Sequence, residues 1–186
     1  MDLQEAIKNR RTIHSFNTTK VPEIVIERAI DAANHAPCHR LTFPWRFTSV
    51  GKMDRELLAI LALQLKFGIQ KIESSVEAKI NSKIMDPSHL LVASQISTND
   101  PKSKLEDYAA CSCAIQNLLL SLAGDGVGSK WSTGKITSHQ KTYEIIGIDP
   151  LVEEIIGFIW VGYGQIPDQI NRPPLKSIFR RYEGSK

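Results

Sequence analysis

The chain has 186 residues, and at this length we expect a single domain spanning residues 1–186. Its composition of 42% hydrophobic and 23% charged residues indicates a folded core and argues against intrinsic disorder. The formal net charge is +3, and because the basic residues are spread along the chain, the sequence argues against nucleic acid as the main partner.

The first half of the chain predicts helices and one strand. An opening helix is followed by a second helix, which has Pro22 in its first turn and ends before Pro37. Residues 44–50 are predicted to form a strand. Asp54 is expected to cap a third helix, and the polar residues 70–82 are expected to continue helically. The apolar face of that third helix carries Leu57, Leu58, Leu61 and Leu65.

The second half predicts two further strands, at 89–96 and 154–162, and two helices. A polar turn at 98–104 is expected to lead into the longest apolar helix, 107–123, which has little polar face and should be buried in the core or against a second subunit. A last helix is expected over 138–147. Helices around a small sheet give an α+β fold, described equally well as an α/β sandwich.

Several features indicate where the protein works. No apolar stretch reaches the 18 or more residues that a membrane helix needs, and the charged start lacks the apolar region of a secretory signal. The three cysteines, Cys38, Cys111 and Cys113, form no CxxC pair, which is typical of reduced thiols. We therefore expect a cytoplasmic protein with no membrane partner.

A basic cluster of Arg10, Arg11, Thr12 and His14 follows the opening helix. A guanidinium group binds two phosphate oxygens at once through two of its N–H groups. The threonine hydroxyl adds a further hydrogen-bond donor and a protonated histidine adds positive charge, so this cluster can hold a phosphate. The alternative is a basic helix C-terminus that favours the helix dipole.

A second cluster contains His35, Cys38 and His39, just before the Pro-Trp-Arg-Phe sequence that starts at Pro44. These three side chains could supply zinc ligands, but their spacing matches no familiar zinc pattern. The same residues suit a wall of hydrogen-bond donors beside an aromatic platform.

The third cluster runs over 125–134 and contains three glycines. The dinucleotide-binding GxGxxG motif should follow a strand, whereas this cluster follows a helix. The cluster also lacks the residue spacing of a P-loop, so neither of these two nucleotide-binding motifs is present. We expect a flexible turn that delivers Trp131, Ser132, Thr133 and Gly134 to a planar ligand. No GxSxG sequence occurs, and this argues against a serine hydrolase. Arg172 stands in a proline-rich tail and is either a ligand contact or a solvated arginine.

Four segments, in order, resemble the FMN-dependent nitroreductase family, in particular its short members. Residues 10–16 are similar to that family's opening RRSxRxF, and 36–47 are similar to its AP…PWRF segment. The helix 107–120 resembles the long dimer helix, and 126–134 resembles the glycine turn ending in WxTG. The resemblance runs over about residues 2–175.

The resemblance implies a central mixed, mainly antiparallel sheet flanked by helices, in a domain-swapped type of homodimer with FMN between the subunits. The phosphate and ribityl chain would lie at the basic cluster, closed by the C-terminal arginine, and the two histidines of the second cluster would come from the other subunit. The turn 125–128 could adjoin the nicotinamide donor. The implied cofactor contacts are Arg10, Arg11, Thr12, His14, His35, His39, Trp131, Ser132, Thr133, Gly134 and Arg172.

The implied reaction takes electrons from NAD(P)H and passes them to a nitroaromatic or quinone-type acceptor in a ping-pong scheme, with no obligatory catalytic residue and no metal. Three alternatives stay open: a desaturase or dehalogenase-type reaction on the same fold, a non-catalytic FMN-binding protein, and a zinc module on the second cluster. The sequence leaves open the physiological acceptor, the choice of NADH or NADPH, and competition by oxygen.

Two departures from the family pattern stand out. His14 occupies the usual place of a third arginine, so FMN affinity is predicted to loosen as pH rises through roughly 5.5 to 8, the range that brackets an ordinary histidine. Residues 70–104 show no recognisable motif, and this region is a candidate for shaping the substrate opening.

Overall fold

The computed structural model describes residues 2–68, 70 and 72–182, and there the chain forms seven α-helices, four strands and a 3₁₀ turn at His39–Leu41. In chain order the elements are α1 (Leu3–Asn9), α2 (Glu23–Asn34), β1 (Trp45–Ser49), α3 (Lys52–Phe67), α4 (Ser74–Met85), β2 (His89–Ile96), α5 (Pro101–Gly124), β3 (Gly128–Ser132), α6 (Gln140–Ile146), β4 (Glu153–Gly162) and α7 (Leu175–Ile178). None of the helices within these residues is long and apolar enough to cross a membrane.

The four strands form one sheet in the order β1-β2-β4-β3, and each neighbouring pair is antiparallel. A parallel bridge between Thr12 and Ser129 adds the N-terminal segment at the β3 edge. The predicted α+β architecture with a mixed, mainly antiparallel sheet is therefore confirmed. The strands predicted at 44–50, 89–96 and 154–162 correspond to β1, β2 and β4.

Both faces of the sheet are covered, which explains the continuous apolar sequence of β4. Ile159 and Val161 point into the core that α2 and α5 share, while Phe158 and Trp160 point into the core on the opposite face. Alternate residues of a strand face opposite sides, so an apolar residue is needed at every position when both sides are packed.

The longest helix, α5, begins at Pro101, and the polar turn predicted at 98–104 is therefore wrong over its second half. The carboxylate of Asp100 accepts a hydrogen bond from the Ser103 amide at 3.0 Å, and Pro101 suits the first helical turn because it needs no amide partner there. Cap chemistry thus extends the helix six residues before the predicted start.

The region after β1 also differs from prediction. Gly51, not Asp54, occupies the N-cap of α3, and Leu57 is exposed rather than on the buried face. The helix ends at Gly68, where φ is +65°, so 70–82 does not continue it. Residues 69 and 71 lie outside the described part of the chain, and a separate helix, α4, begins at Ser74.

The segment expected to be a flexible turn before Gly134 contains a strand, β3. Its residues pair with β4 in register from Gly128 opposite Gly162 to Ser132 opposite Phe158. The glycines indicate a turn, but the edge of β4 supplies backbone hydrogen-bond partners, and these hold the segment as a strand. Pairing with a distant strand cannot be predicted from the local sequence.

Candidate functional site

The N-terminal segment 10–17 lies across the β3 edge and the end of β4. The Ile13 amide donates to the Ser129 carbonyl at 3.0 Å, and the Asn17 amide donates to the Tyr163 carbonyl at 2.8 Å. Backbone bonds at both ends fix the residues between them. The first predicted cluster is therefore held against the strand that carries the third one.

Two glycines allow this close approach. A Cβ atom at Gly128 would stand 2.5 Å from the Ile13 side chain, and one at Gly164 would overlap the Ser15 carbonyl. Any larger residue at these positions would push the N-terminal segment off the sheet.

Arg10 and Arg11 line a cavity of about 230 Å³ together with the glycine turn after α5 and with Tyr163. No acidic residue is among the described residues that line it. Burial lowers the pKa of Arg10, and the neighbouring charges of Arg172 and Arg11 lower it further. The structure therefore brings the charge of Arg172 near Arg10, and the two arginines that line this cavity have no carboxylate beside them among its described lining residues.

The guanidinium of Arg11 is oriented by backbone carbonyls. It donates to the Lys8 carbonyl at 2.6 Å and to the Arg10 carbonyl at 2.9 Å. Its buried Nε has no hydrogen-bond partner among the described residues. A buried donor without a partner is unfavourable, and an anionic ligand in this cavity is the kind of group that would satisfy it.

His14 is separated from these arginines. It lines a second cavity of about 260 Å³, in which Lys130, Ser132 and Thr133 of the third cluster also lie. In an extended segment successive side chains alternate in direction, so neighbouring residues reach different sides. The predicted set thus divides into an arginine cavity and a histidine cavity on either side of segment 12–16.

The side chains of β3 point to different surroundings, some to the His14 cavity and others to the core. Ser132 accepts a hydrogen bond from the Trp160 indole at 2.8 Å and lines the His14 cavity. Trp131 packs against the core of α2 and α5 and donates to the Ile156 carbonyl at 3.4 Å. Gly134 follows the strand and is exposed, with its carbonyl accepting from the Thr137 amide at 3.0 Å.

Helix α4 supplies site residues that the sequence analysis did not identify. Lys83 lines the His14 cavity, and Lys79 and Asp86 line an adjoining cavity of about 320 Å³ that also contains His14 and Phe16. Lys79 and Lys83 are four residues apart, so their spacing on one helix face is a usable sequence signal. Burial and the charge of Lys83 lower the pKa of Lys130.

The second predicted cluster lies apart from both cavities in this chain. His35 and His39 are exposed, and their nearest carboxylates are Asp31 at 4.0 Å and Glu106 at 3.6 Å. Within the described residues, no group of three or more His, Cys, Asp or Glu side chains is arranged to hold a metal ion. Cys38 instead accepts a hydrogen bond from the amide of Phe43 at 3.1 Å.

The turn after α5 has its own support. The guanidinium of Arg28, on α2, lies 2.9 Å from the carboxylate of Asp125, and this ion pair joins the two helices. Asp125 is thereby directed towards α2, while Gly126 and Gly128 line the arginine cavity.

Comparison with known proteins places this architecture in a family. A family model described as Nitroreductase family matches residues 7–163. The Bacillus subtilis protein YfhC, which carries the provisional name NAD(P)H nitroreductase, is 31% identical over 181 residues, covering 95% of this chain and 92% of that protein.

Solved structures share the fold. A nitroreductase-like family protein from Bacillus cereus superposes with a TM-score of 0.82 at 23% identity, covering 99% of this chain and 97% of that one. A Desulfovibrio desulfuricans protein, solved in complex with FMN and provisionally described as a nitroreductase, has a TM-score of 0.73 at 18% identity and covers 100% and 99% of the two chains. The predicted family is thus confirmed, and the chain belongs to the nitroreductase family.

Proposed function

We propose that the protein is an FMN-dependent oxidoreductase that takes electrons from NAD(P)H and passes them to a nitroaromatic or quinone-type acceptor. The observation that carries the proposal is the cavity lined by Arg10 and Arg11, which has no acidic residue among its described lining residues and lies within reach of the charge of Arg172. One extended segment separates it from a cavity that presents hydroxyl and basic groups. The provisional NAD(P)H nitroreductase name of the Bacillus subtilis relative and the FMN complex of the Desulfovibrio neighbour support it.

The residues present fit FMN at both of its ends. The three arginines would hold the phosphate, because an anion there satisfies the buried Arg11 Nε and offsets the mutual repulsion of the arginines. Thr12, which bridges to Ser129, would lie along the ribityl chain. His14, Ser132 and Thr133, which line one cavity, would border the ring, and Gly134 would follow them along the chain. Trp131 would support that edge from the core side.

When bound, FMN supplies the redox chemistry, accepting hydride from the nicotinamide and reducing the acceptor in a separate half-reaction. The protein's residues bind and orient. Segment 12–16 is clamped at both ends by backbone hydrogen bonds, so the two cavities keep a fixed separation. The Ser132 hydroxyl oxygen accepts a hydrogen bond from the Trp160 indole. The hydroxyl proton of Ser132 is therefore available to a ligand in the cavity.

We further propose a domain-swapped homodimer, in which His35 and His39 of the partner subunit complete the site. The tail 165–182 is exposed throughout, including its apolar side chains Ile166, Ile170, Leu175, Ile178 and Phe179. An open groove of about 510 Å³ beside edge strand β1 is lined by aromatic side chains, among them Phe43 and Phe47. A partner's tail would cover this surface, since exposed apolar patches of this kind mark association sites.

The deciding experiment is an absorbance spectrum of the purified protein before and after anaerobic addition of NADH, and separately of NADPH. We expect flavin bands that bleach with a nicotinamide and return when a nitroaromatic or a quinone is added. Bands that never bleach would favour a non-catalytic FMN-binding protein, and failure to bind added FMN would contradict the proposal.

Assembly is tested separately by light scattering. The full chain is expected to have the mass of a dimer, and a variant ending at residue 164 is expected to lose both the dimer and bound FMN, because it lacks Arg172 and the apolar tail. A monomeric full chain that still binds FMN would contradict the assembly proposal while leaving the redox proposal intact.

A further inference from the structure

The cavity between α4 and the N-terminal segment collects basic side chains, of which Lys79 and Lys83 are not among the proposed FMN contacts. It is lined by His14, Lys79 and Lys83, with Phe16 forming an apolar wall, and Asp86 is the one acidic group among its described lining residues. It shares His14, Phe16 and Lys83 with the inner cavity that holds Ser132, so the two spaces adjoin.

Among the described lining residues of this cavity, three basic side chains stand against one acidic side chain. Within the described residues, neither α4 lysine takes part in an ion pair, and the same holds for Lys130. Lys79 and Lys83 stand one helical turn apart, a spacing at which like charges repel. The charge of Lys83 also lowers the pKa of Lys130, so the lysine of β3 experiences the same positive field. A concave site that gathers unpaired cations concentrates anions.

The apolar part of the lining restricts what kind of anion fits. Phe16 belongs to both cavities, and Ile80, Ile84 and Trp160 extend the apolar surface inward. An inorganic ion would leave this surface uncovered, whereas a planar ligand carrying an anionic group would use both the apolar wall and the lysines.

We propose that Lys79, assisted by Lys83, forms a subsite for the anionic group of the planar second substrate that meets the flavin. The inference rests on the proposed function, because it places the subsite beside the ring. The anionic group is either a carboxylate on an aromatic acceptor or the 2′-phosphate of NADPH, and the two sources are separated by experiment. Lys79 lines the outer cavity but not the inner cavity proposed to hold the flavin ring. Replacing Lys79 is therefore expected to leave the FMN dissociation constant unchanged.

The test compares Lys79→Gln and Lys79→Glu with Lys141→Gln and Lys141→Glu, matched changes at an exposed α6 lysine outside the lining of both cavities. Acceptors are 4-nitrobenzoate and the neutral 4-nitrobenzyl alcohol, and donors are NADPH and NADH. If the acceptor is the anion, Lys79→Gln should raise KM for 4-nitrobenzoate about fivefold, with kcat and the neutral acceptor unchanged. If NADPH is the anion, KM for NADPH should rise by a similar factor and KM for NADH should not.

Other outcomes overturn the proposal. Equal effects of the Lys79 and Lys141 variants would indicate net charge alone, and a rise in the FMN dissociation constant without selective KM changes would assign the cluster to the flavin. KM values for both anionic ligands that stay unchanged in Lys79→Gln and Lys79→Glu would also refute it. If the proposal holds, Lys79→Arg should keep the KM values of the wild-type protein. If the wild-type protein binds no FMN, the proposed function fails, and calorimetric titration of 4-nitrobenzoate into wild type and Lys79→Glu then tests the subsite by itself.

Discussion

Replacing Arg10 should weaken FMN binding without lowering the stability of the FMN-free protein. Arg10 is half-buried, and its pKa is lowered by burial and by the charges of Arg172 and Arg11. A base whose pKa is lower in the folded protein binds its proton less favourably there than in the unfolded chain, so its charge opposes folding at neutral pH. Arg10→Gln should therefore leave the FMN-free protein as stable as wild type, or slightly more stable.

The same substitution should weaken FMN binding strongly. A hydrogen bond to a charged group contributes about 1.5–3 kcal/mol, and this corresponds to roughly a 10- to 150-fold increase in the dissociation constant. Arg172→Gln should have a smaller effect because that side chain is exposed and better screened. Fluorescence titration with FMN measures the dissociation constant, and thermal unfolding with and without FMN measures the stability.

Lys8→Gln is the matched control, since it removes one positive charge from an exposed residue of the same helix end. An Arg10→Gln protein whose FMN affinity stays within about threefold of wild type, or falls no further than that of the control, would refute the phosphate assignment. A clear loss of FMN-free stability would instead contradict the reasoning about repulsion among the arginines.

Three more predictions concern the frame around the site. Gly164→Ala should weaken FMN binding and lower the unfolding temperature, because its methyl group would overlap the Ser15 carbonyl, whereas Gly124→Ala, with open space around it, should not. Arg55 is buried and donates to the Ile84 carbonyl at 2.9 Å and to the Pro87 carbonyl at 2.7 Å. Arg55→Met should therefore destabilise the protein by about 2–4 kcal/mol in thermal or urea unfolding, and a change below about 1 kcal/mol would argue against this role. Burial, assisted by the charge of Asp107, raises the pKa of Cys111 to about 12. Iodoacetamide at pH 8 should leave this thiol unmodified in the native protein and alkylate it after unfolding, as read by mass spectrometry.

The strands were predictable wherever the sequence alone carries their signal. β2 and β4 are apolar runs with both faces buried, so burial pattern and strand length agree with local sequence. β3 was missed because Gly126 and Gly128 indicate a turn, while its strand conformation depends on pairing with the edge of β4. The start of α5 was missed for the opposite reason, since the Asp100 cap is local but lies in a stretch that looks like a polar turn.

Site residues followed the same division. Arg10 and Arg11 were identifiable because adjacent arginines after a helix suggest a phosphate site in any fold. Lys130 was not, because it lies on β3 and its approach to Lys83 of α4 depends on how the helix packs over the sheet. The split between the arginines and His14 also needed the structure, since it follows from the direction of side chains along an extended segment.

That split changes what His14 can contribute. Arg11 and His14 are three residues apart, so their Cα atoms are separated by at most about 11 Å, a span that one ligand with an anionic end and a planar end can bridge. On the arginine side the charge is permanent. On the other side His14 shares its cavity with Lys83 and Lys130, so it is one of three basic groups that face a ligand there. Replacing His14 alone with glutamine should therefore weaken FMN binding less than replacing His14, Lys83 and Lys130 together, as measured by fluorescence titration with FMN.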